Sequence, residues 1–186
     1  MSSIKSNKIF ADGTTVFKTI DKIYNRHKKG IVILGPPGIG KSTWIRNQPK
    51  VKGKKDWIDS DYLSFRMQLK HNLNRNNKDD FKLGMLRADY MLEQSKLMGY
   101  RIIGALFWEY DADAIVIPPL KQHLEYGKKR KDLNKNIIKD MRKIYSDHAK
   151  KLKIPIFDSI DKAVEYTINK KNKPDLKLKK LMKMMN

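Results

Sequence analysis

Two patterns of apolar residues alternate along the chain, one typical of buried strands and the other of amphipathic helices. Short apolar runs predict strands at 31–34, 57–58, 100–108, 114–119 and 154–157. Apolar residues at helical spacing predict helices at 14–28, 62–73, 81–99, 120–131, 136–152 and 158–170, and a further helix from residue 41. Strands that alternate with helices predict an α/β fold with a mainly parallel sheet of about five strands flanked by helices.

The order of the strands stays open at one place. Only about five residues separate the runs 100–108 and 114–119, whereas a parallel crossover needs about a dozen or more. Either one of the two runs is not a core strand, or the two form an antiparallel pair.

Polar residues at the helix starts are candidate caps. They are Thr14 or Thr15 for the first helix, Asp79 or Asp80 for the helix at 81–99, and Asp158 or Ser159 for the last helix. No internal repeat is present, so residues 1–170 are predicted to form one domain. The break KKNKP then leads into a basic amphipathic tail at 171–186.

Composition narrows the class of protein. A chain of 186 residues with 40% hydrophobic residues is long and apolar enough for one sizeable core. The absence of cysteine excludes disulfides and thiol chemistry. The sequence has no signal-peptide pattern and no apolar run long enough for a membrane span, which predicts a soluble, cytoplasmic protein.

The charge balance indicates a class of partner. The formal net charge is +21, and the excess is denser toward the C-terminus. Such an excess favours polyanions, first nucleic acid (DNA or RNA) and second an anionic membrane. The alternative is that the lysines only decorate a solvated surface.

The segment GPPGIGKST at 35–43 is the most specific motif. Gly35, Gly40, Lys41 and Ser42 match the pattern GxxxxGK[ST] of a phosphate-binding loop, with a strand before it and a helix after it. Glycines let successive backbone N–H groups face the phosphates, and the following helix adds its positive end. The motif predicts that a nucleoside triphosphate binds together with Mg²⁺. The nucleotide-binding residues would be Gly35, Pro36, Pro37, Gly38, Ile39, Gly40, Lys41, Ser42 and Thr43.

Within that loop, residue types suggest individual roles. Lys41 would bridge the β- and γ-phosphates, Ser42 would be a ligand of Mg²⁺, and Thr43 would contact the α-phosphate. An ATPase motor also needs a hydrophobic strand that ends in an acidic pair. The nearest match ends at Glu109 and lacks the second acid, so a motor is the less favoured class.

Two further features are typical of a phosphotransferase. Asp59 and Asp61 follow the strand at 57–58, where a carboxylate could accept a proton from an acceptor hydroxyl. The cationic segment 125–136, hinged at a glycine and carrying Arg130, could form a lid over the transferred phosphoryl group. The alternatives are that the aspartates only form a turn and a helix cap, and that the basic run is solvated surface.

Over 35–66, GPPGIGKSTWIRN and WIDSDYLSFRM resemble the kinase domain of phage-type polynucleotide 5′-hydroxyl kinases, within the wider P-loop kinase superfamily. The resemblance implies a three-layer P-loop NTPase fold, ATP with Mg²⁺, a carboxylate base after the second strand and lid arginines on the phosphates. Tyr62 and Arg66 are the candidate substrate-binding residues. The sequence departs from the family where Ser60 splits the acidic pair, and where the lid has a single arginine.

The sequence therefore predicts an ATP- and Mg²⁺-dependent kinase that phosphorylates a hydroxyl of a nucleic acid, at a 5′ end or on a modified base. Lys41, Asp59, Asp61 and Arg130 are the candidate catalytic residues, and either aspartate could be the base. One alternative is a nucleoside monophosphate or other small-metabolite kinase. The other is a nucleic-acid-binding P-loop ATPase.

Overall fold

A computed structural model of the protein describes residues 16–63, 74, 76–105, 112–128, 130 and 132–170. For residues 16–19, 85–87 and 90 it describes the backbone only. The elements are α1 (Val16–Ile23), β1 (Ile31–Leu34), α2 (Lys41–Asn47), β2 (Trp57–Asp59), α3 (Lys78–Leu97), β3 (Arg101–Gly104), β4 (Ala114–Val116), α4 (Leu120–Gly127), α5 (Lys135–Leu152), β5 (Ile156–Phe157) and α6 (Ile160–Asn169). Residues 60–63 are also helical.

The five strands form one parallel sheet in the order β2-β3-β1-β4-β5. The central strand β1 pairs with β3 on one side and with β4 on the other, in registers that set Ile31 beside Arg101 and Ile33 beside Ala114. The α/β class, the number of strands and their parallel direction are those that the sequence predicts.

Both alternatives for the runs at 100–108 and 114–119 are wrong. β3 and β4 are both core strands, both are parallel to β1, and β1 lies between them. The reason is that β3 ends at Gly104, earlier than its apolar run predicts, which leaves the nine residues 105–113 for the connection. Of these, 106–111 lie outside the described residues.

The sheet is buried on both faces because β1 alternates its side chains between two cores. Val32 and Leu34 face one core, which contains residues of α1, α3 and α5. Ile31 and Ile33 face the other core, which contains residues of α2 and α6. Helices on both faces of a parallel sheet give three layers.

The helix caps agree with the sequence in part. Ser159 caps α6, as predicted, by accepting the N–H of Lys162. At α3 the prediction of Asp79 or Asp80 is wrong, because Asn77 is the cap and accepts the N–H groups of both aspartates at 2.9 and 3.1 Å. α3 begins at Lys78, three residues before its first apolar residue, Phe81. The cap therefore also lies earlier than the apolar pattern predicts.

Other predictions fall where the structure gives no test. The candidate caps Thr14 and Thr15, most of the helix at 62–73 and the tail at 171–186 lie outside the described residues. Within the described residues, no helix is long and apolar enough to cross a membrane.

Close packing at Gly30, just before β1, makes a first prediction. A Cβ atom at this position would lie 1.9 Å from the carbonyl oxygen of Lys96, and backbone atoms cannot yield cheaply. We expect Gly30→Ala to lower the free energy of unfolding by more than about 2 kcal/mol. Denaturant titration of the purified protein measures this loss.

Gly53 is the matched control. Its φ is +77° and nothing lies within 4 Å of a Cβ added there, so Gly53→Ala should cost only about 1 kcal/mol for the left-handed backbone. Equal losses in the two variants would contradict the packing of α3 against the start of β1.

Candidate functional site

Three strand ends meet at Gly104, the last residue of β3. The N–H of Gly35 donates to the carbonyl of Gly104 at 2.9 Å, which ties the start of the phosphate loop to β3. On the other side, the Ser60 hydroxyl accepts the N–H of Ala105 at 3.3 Å. A Cβ at position 104 would lie 2.1 Å from Ser60 Oγ, so only glycine allows β2 and the loop to approach this closely.

The glycines of the phosphate loop have two different roles. Gly38 and Gly40 have φ of 84° and 86°, in the left-handed region where glycine is favoured. Gly35 instead allows close packing, because a Cβ there would lie 2.4 Å from Ile39 Cδ1 and 3.0 Å from the carbonyl oxygen of Val116. The expectation of unusual backbone conformations is thus confirmed at the second and third glycines and not at the first.

The first turn of α2 faces the loop with free backbone donors. The first backbone hydrogen bond of α2 runs from the N–H of Trp44 to the carbonyl of Gly40. The N–H groups of Lys41, Ser42 and Thr43 are therefore donors without an intrahelical acceptor. Donors in this arrangement, beside a glycine-rich turn, suit an anionic oxygen.

The Lys41 ammonium is folded back onto the loop. Its Nζ donates to the carbonyls of Gly35 at 2.9 Å and Pro36 at 2.8 Å. Burial lowers its pKa from 10.5 to about 8, while the nearby carboxylates of Asp61 and Asp59 act in the opposite direction. A cation whose direct hydrogen bonds go to two carbonyls can exchange them for a phosphate at little structural cost.

Ser42 and Asp59 form a direct link between the loop and β2. The Ser42 hydroxyl donates to Asp59 Oδ2 at 2.6 Å, and Asp59 Oδ1 accepts the N–H of Asp61 at 3.0 Å. Asp59 is therefore both a cap for the helical residues 60–63, as one alternative predicts, and a partner of the loop. The two roles are compatible because each uses a different carboxylate oxygen.

Asp61 is exposed on the same turn. Its carboxylate raises the pKa of Lys41 against the larger effect of burial, and it contributes to the raised pKa of Arg130. The structure thus brings Asp61, Lys41 and Arg130 into one electrostatic cluster. Asp59 and Asp61 are separated by Ser60, whose buried side chain occupies the narrow space against Gly104.

The segment 125–136, described except for residues 129 and 131, rests on the phosphate loop. A Cβ on Gly38 would lie 2.7 Å from Leu133 Cδ1 and 3.8 Å from Gly127 Cα. Gly127, taken from the sequence as a hinge, packs tightly instead, since a Cβ there would lie 2.5 Å from Ile138 Cδ1. Arg130 is exposed and pairs with Asp132 through Nε and Oδ1 at 3.0 Å.

Sequence reasoning missed His123, which is fully buried on α4. Its Nε2 lies 2.8 Å from the carbonyl oxygen of Pro37, and Gly38 is close to the same ring nitrogen. A carbonyl only accepts, so Nε2 carries the proton. Burial lowers the pKa of this imidazole, which keeps the ring neutral at pH 7. A signal was present in the sequence: His123 and Gly127 lie four residues apart and share one helix face.

The remaining candidates are placed as follows. The Tyr62 ring packs 6.1 Å from the Tyr24 ring, against the core that contains α1. Its contact with a substrate stays a prediction. Arg66 lies outside the described residues. Trp44 packs edge-on against Trp57 at 5.7 Å.

No protein-family model and no curated protein matches the sequence. Among solved structures, the crystal structure of TT1252 from Thermus thermophilus is similar, with 16% sequence identity and a TM-score of 0.45. The match covers 77% of this chain and 95% of that chain. A likeness of this size carries no argument about function, which must come from the geometry of the site.

The lowered pKa of Lys41 makes stability depend on pH with a definite sign. The folded pKa of about 8 lies below the ordinary value of 10.5, so the unfolded chain holds the proton more tightly. This group's contribution therefore rises as pH increases from 8 to 10.5. We expect the free energy of unfolding of the wild type, relative to Lys41→Met, to increase between pH 7 and pH 10.

Urea titrations of both proteins across that range measure the difference, and groups common to the two proteins cancel. A difference that stays constant with pH would contradict the desolvated ammonium.

Proposed function

We propose that the protein is a Mg²⁺·ATP-dependent kinase that transfers the γ-phosphate to a hydroxyl of a nucleic acid. One observation carries the proposal: Asp59 accepts a hydrogen bond from Ser42 at 2.6 Å, while Asp61 lies beside the loop lysine. A carboxylate at the loop serine suits the metal, and a second carboxylate near the loop lysine suits the acceptor. The likeness of 35–66 to polynucleotide 5′-hydroxyl kinases supports the same class.

The residues present fit ATP and magnesium. The loop offers the donors of Lys41, Ser42 and Thr43 to phosphate oxygens, and its lysine exchanges loop carbonyls for phosphate. Mg²⁺ is usually held by one or two protein oxygens together with substrate phosphates and water, which agrees with a site made of Ser42 and Asp59. Among the described residues no group of three or more His, Cys, Asp or Glu could hold a metal alone. When bound, the ion neutralises charge on the phosphates.

Asp59 and Asp61 have different roles in the proposed reaction. Both oxygens of Asp59 are engaged, one by Ser42 and the other by the N–H of Asp61, so Asp59 positions the metal side of the site. Asp61 is exposed on the acceptor side, and we assign it as the base that takes the proton of the acceptor hydroxyl.

Arg130 and Lys41 act on the phosphoryl group itself. Negative charge spreads over the equatorial phosphoryl oxygens in the transition state, and preorganised cations stabilise it there. Arg130 is held next to this place by Asp132 and by the contact of Leu133 with the loop. The transfer then breaks the bond from the γ-phosphorus to the bridging oxygen and forms one to the acceptor oxygen.

An acceptor panel with γ-labelled ATP tests the proposal. We expect label in oligonucleotides with a free 5′-hydroxyl or a hydroxylated base, and none with Lys41→Met. Label in free nucleosides or nucleotides alone would favour a small-metabolite kinase. Release of phosphate without a labelled acceptor would favour a nucleic-acid-binding ATPase, the second alternative.

The division between the aspartates has its own test. Asp61→Asn should lower kcat by about 10²-fold or more with little change in ATP affinity, because a positioned base is lost. Asp59→Asn should instead raise the Mg²⁺ concentration needed for half-maximal rate. Asp147→Asn, on an exposed part of α5, is the matched control. Equal and mild losses in the two site variants would sink the assignment.

His123 should act on nucleotide binding as a positioning residue. His123→Leu removes the hydrogen bond to Pro37 in the loop and should weaken binding of a fluorescent ATP analogue by about tenfold, the value of one such bond. His123→Gln can still donate from its amide and should lose less. Binding equal to that of the wild type in both variants would show that the loop does not depend on α4.

A further inference from the structure

A cavity of about 380 Å³ lies at the opposite edge of the sheet from the phosphate loop. Ile31 and Arg101, the first residues of β1 and β3, line it together with residues 27–29 and 167–170. The loop follows the carboxyl end of β1, whereas this cavity is at the amino ends. None of the candidate nucleotide-binding residues lines it.

Four cationic side chains converge on this cavity, which we call the basic pocket: Lys28, Lys29, Arg101 and Lys170. The nearby carboxylate of Asp56 is engaged by the Asn25 amide at 2.8 Å and lies 3.5 Å from His27. The carboxyl end of α6 adds only about half a negative charge. Asp56 also attracts Arg101, so four cationic side chains face one nearby carboxylate and the pocket keeps a net positive charge.

Arg101 shows that an acceptor is missing. Its guanidinium stacks over the Trp57 ring at 5.9 Å, and its Nε is buried without a hydrogen-bond partner among the described residues. Burial also lowers its pKa. A buried cationic donor without an acceptor is costly, and an anionic oxygen in the pocket would satisfy it through a charge-assisted bond.

Size and surroundings indicate the kind of anion. The volume lies within the range of sites that hold a nucleotide-sized ligand and exceeds the needs of one free phosphate ion. The pocket ends at Lys170, and the next sixteen residues contain six lysines and one aspartate. Among the described lining residues there is no Phe, Tyr or Trp ring for base stacking, so recognition would be of the backbone and independent of sequence.

We propose that the basic pocket binds the phosphodiester backbone of a nucleic acid, as an anchoring site separate from the phosphate loop. Arg101 and the three lysines contact consecutive phosphates, and the bases stay outside. This inference does not depend on kinase activity, because it rests on residues at the other edge of the sheet.

The test uses the full chain and a fluorescent 5′-phosphorylated 20-mer, which offers no 5′-hydroxyl. Lys28→Glu/Lys170→Glu should weaken binding by about tenfold or more. It should also reduce the slope of log K against log salt by about 1 to 2 units, because each phosphate contact contributes nearly one unit to that slope. Fluorescence anisotropy titrations at salt concentrations between about 50 and 200 mM, where affinity depends steeply on salt, measure the affinity and the slope. Arg101→Gln is the single-site companion.

Lys139→Glu/Lys143→Glu is the matched control, with the same net charge and exposed positions on α5. It should change affinity and slope much less. Equal effects in the two double variants would overturn the pocket in favour of diffuse surface charge. Circular dichroism of each variant confirms the fold, and the lysine pair keeps the test valid if Arg101→Gln does not fold.

Two further arms separate this inference from its rivals. If Lys28→Glu/Lys170→Glu loses binding to phosphatidylserine vesicles but still binds the oligonucleotide, the nucleic-acid assignment is overturned. If no acceptor ever takes label while the pocket variants lose the oligonucleotide, the proposed kinase function fails and the pocket stands.

Discussion

The close approach of three strand ends at Gly104 determines the geometry of the candidate site. A side chain there would overlap Ser60 at 2.1 Å, and the carbonyl of Gly104 holds the start of the phosphate loop. The end of β2 and the start of the phosphate loop both lie next to Gly104. Asp59, at the end of β2, is therefore close enough to accept a hydrogen bond from Ser42. The link between β2 and the phosphate loop is thus a result of backbone packing, and the carboxylate needs no long side chain to make it.

The same packing explains why the acidic residues are not adjacent. Ser60 is buried at the point of closest approach, where a carboxylate would be desolvated and would lack room. Placing a small hydroxyl between the two acids turns Asp59 toward the loop and leaves Asp61 exposed.

Local spacing explains which features the sequence could predict. The loop, its glycines and its lysine follow from contacts within a few residues, and the apolar runs predict five strands in a parallel sheet. The position of β1 between β3 and β4 could not be predicted, because an apolar run does not show that β3 ends at Gly104. The roles of His123 and of Asp59 also depend on partners far along the chain, at Pro37 and Ser42.

Charge is distributed differently at the two edges of the sheet, and this difference gives the basic composition a physical meaning. At the carboxyl edge, Lys41 and Arg130 face Asp59, Asp61 and Asp132, so cations and carboxylates balance and can exchange partners. At the amino edge the basic pocket has no such balance. A uniform decoration by lysine would give both edges the same excess. The phosphate-loop end of the sheet thus sets cations beside carboxylates, whereas the opposite end carries a cationic excess.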